Sequence, residues 1–518
     1  MKLKNIKDFL SVNNVQIFLI SLFPASIIAG PLIAEIIINL INIIYIYLIF
    51  KKGDFVILKN KVFLYLFAFY IYINLTTLVL PEDNKVIINS ISYLRFIIFG
   101  FAFFDILKNN IQAIKYVYYS LAITLCCLIF DGYIQHFFGQ NLLGVEKIRA
   151  DRLSGLFFED LILGGFLSRI LLIYLGLIFL FKNKLNYQFY LNLTIFIFGY
   201  ILVFLSGERA AFLVISLLIF ILLISINIRL KHLSYVFIIF ILSFLLIFKN
   251  NPILLDRYYD QLRYHLVGVG TKFDKDNFLP NYMSMYVTAF KMFQAKPIIG
   301  HGAKSFRYLC DNKEFTTLNK NSLYIEHYFE IYIPSLGKKD NYLIIEDNFF
   351  KIGDEITKGD NLFTYRLSDK KLKYFKSKLS GKIKFISEGK KFKELEPYLT
   401  LENPDNSLVY FDYKYRNGCN IHPHQIYLQL LAETGVIGFI FIFYIFIKIS
   451  ISLIKNFYNL RFNKKTSLSI FTICIYLSIF GNLWPLTTSG NFFNNWINFL
   501  FYYPLGFYLY SLYLQRKK

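Results

Sequence analysis

Long apolar runs recur along this chain with short basic linkers between them, and they decide most of what it can fold into. Lipid offers no hydrogen-bond partner to a backbone N–H or C=O, so such runs must become helices that satisfy themselves, each of about 20 residues. Twelve candidate spans follow: Val15–Gly30, Pro31–Phe50, Lys61–Leu80, Ile91–Leu107, Ile111–Phe137, Leu161–Phe181, Gln188–Leu205, Ala211–Ile228, Leu233–Phe248, Ile426–Ile454, Thr466–Leu486 and Asn495–Leu514. Hydrophobic residues make up 56% of the chain and charged ones 17%, against about 25% charged in soluble domains. That balance excludes a disordered chain, a fibrous repeat and an ordinary soluble enzyme.

The formal charge of +22 would suggest nucleic acid in a soluble protein. Here the basic residues flank apolar runs, the pattern that orients membrane spans, and no nucleic-acid partner is expected. Lys2, Lys4 and Lys7 precede the first span; Lys51, Lys52, Lys59 and Lys61 follow the second; Arg516, Lys517 and Lys518 end the chain. The alternate linkers are poor in Lys and Arg, so both termini are expected on the cytoplasmic side. Segment 249–425 then lies outside. It holds 28 Lys/Arg and 21 Asp/Glu, a composition shift that marks an extramembrane domain. Its two cysteines, Cys310 and Cys419, are candidates for a disulfide in that oxidising compartment. Cys126, Cys127 and Cys474 sit in apolar runs and read as small buried hydrophobes.

Four polar segments fall at the outer ends of spans: Asp151–Asp160 with Arg152, Ser206-Gly207-Glu208-Arg209, Asp256-Arg257 with Arg263 beyond it, and His422-Pro423-His424-Gln425. Arginine on this side opposes the orientation rule and calls for a reason. Its planar fork suits bidentate phosphate recognition, and several at one membrane depth would form an anion site. His422 and His424 open a span with the neutral-range titration that suits a general base. Two histidines separated by one residue lack a third ligand at an obvious spacing, so no metal is expected. His301 in Gly300-His301-Gly302 reads as structural, and no nucleotide-binding glycine motif is present.

Residues 328–403 alternate as short strands with turn dipeptides. The run Pro334-Ser335-Leu336-Gly337, the turns Gly353-Asp354 and Gly359-Asp360, and Ser380-Gly381 resemble the biotinyl/lipoyl carrier fold. That resemblance implies a small all-β barrel-sandwich of two similar halves, with Asp369-Lys370 near the carrier position. No cofactor is expected on it, because carrier ligases act on folded domains in the cytoplasm and a translocated chain is unfolded. The resemblance implies instead a structural module or one that docks an envelope partner.

His424-Gln425, nine residues, Gly435, two residues and Gly438 resembles the histidine–amide and Gly-x-x-Gly pattern of bacterial O-antigen ligases. The layout of about twelve helices with a late periplasmic loop, and the stretch Pro297…Gly300-x-Gly302…Phe306, are similar as well. The resemblance implies an all-α polytopic membrane fold and glycan transfer from a polyprenyl pyrophosphate carrier to the lipid A core or another acceptor, without metal or cofactor. It assigns His424, Arg209 and Arg257 as catalytic, with Arg263 the other candidate for the arginine at the start of the large loop; Arg152, Arg263, His422 and Gln425 are read as substrate-binding from their place at the outer ends of spans. Gly435, Gly438, Cys310 and Cys419 are assigned structural roles. A repeat polymerase is the alternative within this chemistry, and a lipid-linked glycan transporter the alternative outside it. The expected organisation is spans over 1–248, periplasmic loop over 249–327, the β insertion over 328–403, a return segment over 404–425 and the last spans over 426–518.

Overall fold

The computed structural model describes residues 12–79, 84–149, 151–181, 187–226, 249, 251–260, 262, 280–316, 323–324, 328–333, 343–367, 372–377, 380–387, 389, 391–392, 397–402, 409–410, 418–463, 468–486 and 488–517. In chain order the long helices are α1 (Val12–Ala29), α2 (Pro31–Lys52), α3 (Lys61–Val79), α4 (Asn84–Ser92), α5 (Leu94–Asn109), α6 (Ile111–Phe138), α7 (Leu163–Leu180), α8 (Tyr187–Leu205) and α9 (Arg209–Ser225). They continue with α10 (Pro280–Ala295), α11 (Ile426–Tyr458), α12 (Ile470–Asn482) and α13 (Asn495–Lys517). Among the described residues eight spans are long and apolar enough to cross a membrane, and α9 and α12 are shorter apolar helices. The expected span Leu233–Phe248 lies outside the described residues.

Several boundaries differ from the sequence expectation for physical reasons. Helix begins at Asn84, within what reads as a polar linker, and breaks at Tyr93 before resuming as α5. The short α4 lies against α3, where Asn74 Nδ2 donates to the Ser90 carbonyl at 3.3 Å. α9 starts at Arg209, not Ala211, because Arg and Ala are both strong helix formers. α12 is only 13 residues long. The Ser469 hydroxyl caps its start by accepting from Thr472 N at 3.2 Å, and Pro485 bars continuation beyond its end. α11 runs past Ile454 to Tyr458.

α7 is the central helix, 83% of its span being buried against 33% for α2. Small residues let neighbours approach its axis: a Cβ on Gly176 would stand 3.0 Å from the Cys474 Cβ of α12. On the periphery, Leu32, Ile36, Ile43 and Tyr47 of α2 and Tyr116, Ile123, Phe130 and Phe137 of α6 face outward. A helix face of that kind is stable where hydrocarbon covers it.

The loop insertion is a β module. Ten strands are numbered β1 (Leu323–Tyr324), β2 (Tyr328–Tyr332), β3 (Leu343–Asn348), β4 (Glu355–Ile356), β5 (Asn361–Arg366), β6 (Leu372–Lys376), β7 (Gly381–Ile386), β8 (Lys391–Phe392), β9 (Pro397–Glu402) and β10 (Val409–Tyr410). Two four-stranded sheets, β2-β9-β7-β4 and β6-β5-β3-β8, share one apolar cluster that includes Ile331, Leu343, Phe363, Ile383 and Leu401. Matching turns organise it. Asp354 Oδ2 accepts from Lys351 N at 2.8 Å, and Asp360 Oδ2 accepts from Thr357 N at 2.7 Å. β1 and β10 pair antiparallel, Leu323 opposite Tyr410, as a neck through which the chain enters and leaves the module.

Candidate functional site

The return segment ends in the start of α11. Gln425 caps that helix: its Oε1 accepts from Leu428 N at 2.6 Å, and its Nε2 donates to the Pro485 carbonyl at 3.0 Å. The residue before it, His424, has φ 55 and so sits in the left-handed region that a β-carbon disfavours. Its carbonyl is held by Ser489 N at 2.8 Å. Its ring stands edge-on to Tyr282 at 5.4 Å and tilted against His422 at 4.1 Å between centroids. Asn420 Nδ2 lies 3.3 Å from His424 Nε2. With the amide donating, that ring nitrogen is the unprotonated acceptor, the form a base needs. His422 Nε2 lies 3.2 Å from the Ser489 carbonyl, leaving its Nδ1 buried without a partner. Burial lowers both imidazoles, to about 4 at His424 and about 3 at His422, where the neighbouring His424 adds to the effect.

Gly435 interrupts α11 with φ 62 and ψ −171, which only glycine adopts freely. The break frees backbone groups of neighbouring turns, and the loop Pro297–Gly302 satisfies them. Val436 N donates to the Pro297 carbonyl at 2.8 Å, Gly302 N to the Glu433 carbonyl at 2.7 Å, and His301 N to the Ala432 carbonyl at 3.2 Å. A Cβ on Gly435 would stand 2.2 Å from the Ile298 carbonyl oxygen, so the two backbones touch. Gly438 meets Thr434 of its own helix and Tyr72 of α3. Glu433, fully buried, accepts from Lys304 N at 3.0 Å, Phe306 N at 3.1 Å and Gln429 Nε2 at 3.0 Å. His301 Nε2 lies 2.9 Å from the Met292 carbonyl in a buried position. Cys310 and Cys419 form a disulfide, their Cα atoms 4.9 Å apart, that ties this loop to the histidine segment.

The arginines gather where α7 and α9 begin and α8 ends. The Ser206-Gly207-Glu208 turn admits no side chain at Gly207, where φ is 70 and a Cβ would meet the Asp151 carbonyl oxygen at 2.0 Å. Asp151 lies between Arg149 Nε at 3.1 Å and Arg257 Nη1 at 3.2 Å. Arg257 Nε donates to the Gly207 carbonyl at 3.2 Å, and Arg209 Nη1 to the Arg257 carbonyl at 3.3 Å. Arg152 Nη2 donates to the Leu161 carbonyl at 2.8 Å and faces Glu208 at 3.9 Å, while its Nε is buried without a partner. Glu208 also accepts from Gly164 N at 2.8 Å and Gly165 N at 3.0 Å, beside the Arg169 guanidinium.

The two carboxylates respond oppositely. Burial alone would raise both, but Arg149, Arg257 and Arg152 hold Asp151 below the usual range. Glu208, whose nearest such ion-pair contact is the longer one to Arg152, stays above it. Arg149, Arg152 and Arg257 thus lie against Asp151 or Glu208, with Arg169 beside Glu208 and Arg209 bonded to the Arg257 carbonyl, a cluster of the side chain suited to anion recognition.

The histidine and arginine groups are separate clusters joined by the connection between α12 and α13. Arg169 Nε donates to Asn482 Oδ1 at 2.8 Å, Tyr427 OH to the Leu483 carbonyl at 2.7 Å, and Gln425 to Pro485. Among the described residues no group of three His, Cys, Asp or Glu could hold a metal ion. Arg263 lies outside the described residues. Sequence reasoning passed over Arg169, although an arginine inside an apolar span is itself a signal. It also passed over Gln429, Glu433 and Asn491, whose roles come from contacts far apart in the chain.

Residues 193–336 match the family model described as O-Antigen ligase. Over that stretch the chain is similar to O-antigen ligases, and its apolar helices, eight of them long enough to cross a membrane among the described residues, fit a multi-pass membrane protein. The matched stretch contains Arg209 and Arg257 and stops short of His424. No curated protein matches the chain.

Proposed function

We propose that this protein transfers a glycan from a polyprenyl pyrophosphate carrier to an acceptor hydroxyl, the lipid A core in the leading reading, on the periplasmic face of the inner membrane. The observation that carries this is the guanidinium cluster of Arg149, Arg152, Arg169, Arg209 and Arg257, of which Arg209 and Arg257 lie within the stretch that matches the O-antigen ligase family. Arg209 and Arg257 stabilise the pyrophosphate as its bond to the anomeric carbon breaks, and Arg152 and Arg263 help bind it. His424 takes the acceptor proton, with His422 and Gln425 beside it on the acceptor side. Single displacement inverts the anomeric centre, and the carrier's phosphoester supplies the driving force. Both termini are cytoplasmic in this reading. The loop is periplasmic, and the two-sheet module over 328–403 is a lipoyl-like insertion that carries no cofactor and offers a surface to an envelope partner.

The test is purified protein with carrier-linked glycan and lipid A core. A core-linked product that disappears in His424→Ala supports the ligase reading, and elongation of carrier-linked glycan would instead show a repeat polymerase. Carrier-linked glycan crossing the bilayer with no transfer product would point to a transporter and overturn the proposal.

A further inference from the structure

The segment that presents His424 is not held by its own chain neighbours alone. Glu433 Oε2 accepts from Gln429 Nε2 at 3.0 Å, and the same amide nitrogen donates to Asn491 Oδ1 at 2.9 Å. Asn491 Nδ2 in turn donates to the Ile421 carbonyl at 3.3 Å, directly before the histidine pair. The second atom of the Gln429 amide is used as well, its Oε1 accepting from Phe492 N at 2.9 Å. Glu433, Gln429 and Asn491 are all buried, and each link is a side chain with no alternative solvent partner. Buried networks of this kind are stable only when fully satisfied, so they fix geometry tightly. Two residues before Asn491, Ser489 grips His424 from its backbone, and among the described residues His424 is one of three non-glycine residues with positive φ. A strained backbone persists only where its surroundings over-determine it.

We propose that Asn491, acting through Gln429 and Glu433, is a positioning residue that holds the 421–424 segment so that the His424 imidazole faces the acceptor hydroxyl. The inference rests on the reading of His424 as general base. Asn491 touches no reacting atom in this scheme; it sets where the base stands. A misplacement of about 1 Å typically costs on the order of 100-fold in rate while leaving remote binding intact.

The experiment is a double-mutant cycle on the full-length protein with carrier-linked glycan and lipid A core. Asn491→Ala is expected to lower kcat about 10- to 100-fold with the donor KM little changed. In the His424→Ala background, where residual transfer is measured, it should cost nothing further. If the effects of Asn491→Ala and His424→Ala multiply, or if Asn491→Ala retains full kcat, the positioning role is overturned while the general-base reading stands. If His424→Ala itself retains full activity, that reading falls and this proposal with it. Thermal unfolding checks each variant. Should Asn491→Ala lose its fold, Asn491→Asp keeps the acceptor for Gln429 and Phe493 N while replacing the donor to the Ile421 carbonyl with a carboxylate oxygen. It is then read in the same cycle.

Discussion

At the residue scale, burial keeps the His424 imidazole uncharged at neutral pH. Its folded-state value near 4 lies below the ordinary one of about 6.5, so the ring stays neutral through the physiological range. Stability contributed by keeping it neutral is present above about 6.5 and is lost as pH falls toward 4. A pH profile of kcat should therefore stay flat from about 7 to 5 and fall below that; a midpoint near 6.5 would show the ring to be solvated during turnover. Arg257 is a different case, because it both serves the proposed pyrophosphate site and neutralises Asp151. Arg257→Ala leaves that carboxylate with one fewer partner and is expected to destabilise by about 3 kcal/mol as well as to cripple transfer. Arg209→Ala, which removes the bond to the Arg257 carbonyl, should cripple transfer, and Arg209→Lys should restore it only in part, read as initial rates of glycan transfer. The arginines and His424 stood out in the sequence because each breaks a local rule: charge on the outer side, or histidine opening a span. Arg169 broke one too and hid inside an apolar run. Asn491 and Gln429 broke none, since polar residues near a helix end are ordinary until their partners, dozens of residues away, are known.

At the element scale, α11 is the organising helix, and its interruption does the organising. The break at Gly435 gives up helical bonds and accepts the Pro297–Gly302 loop in their place, which anchors the extramembrane chain to the bundle. Gly435→Ala would force a β-carbon into both a positive φ and the Ile298 carbonyl, a cost of at least about 2 kcal/mol. Loss of folded protein in that variant, but a mild effect from Ile437→Val two residues on, is the expected outcome in a thermal melt. The apolar runs made the long helices legible, since length and hydropathy alone nearly fix them. Their ends were less so. Ser469 as a cap, Pro485 as a stop and the early start at Asn84 depend on single side chains and on what the next helix offers. The spacing of Gly435 and Gly438 drew attention to the right place, but the loop that docks there is more than a hundred residues upstream.

At the scale of the whole molecule, the β module is joined to the rest through the two-stranded neck, and its own first and last strands are neighbours. Tyr328 of β2 pairs with Glu402 of β9, so excising residues 328–403 brings two adjacent ends together. Basal glycan transfer by that shortened protein is the expected result if the module serves docking alone. The composition shift and turn dipeptides announced a separate β unit. The pairing of strands distant in sequence, which makes its two sheets one cored body, depends on tertiary contacts that no local window contains. The Cys310–Cys419 bond closes a ring around this entire unit. In covalent terms the module is therefore a side branch, and the shortest bonded route from α10 to α11 bypasses it through two sulfur atoms. A protease that nicks the polypeptide anywhere between Asp311 and Gly418 would leave the cell with one unbroken molecule. Such a nicked sample should run as a single band without reductant and as two with it.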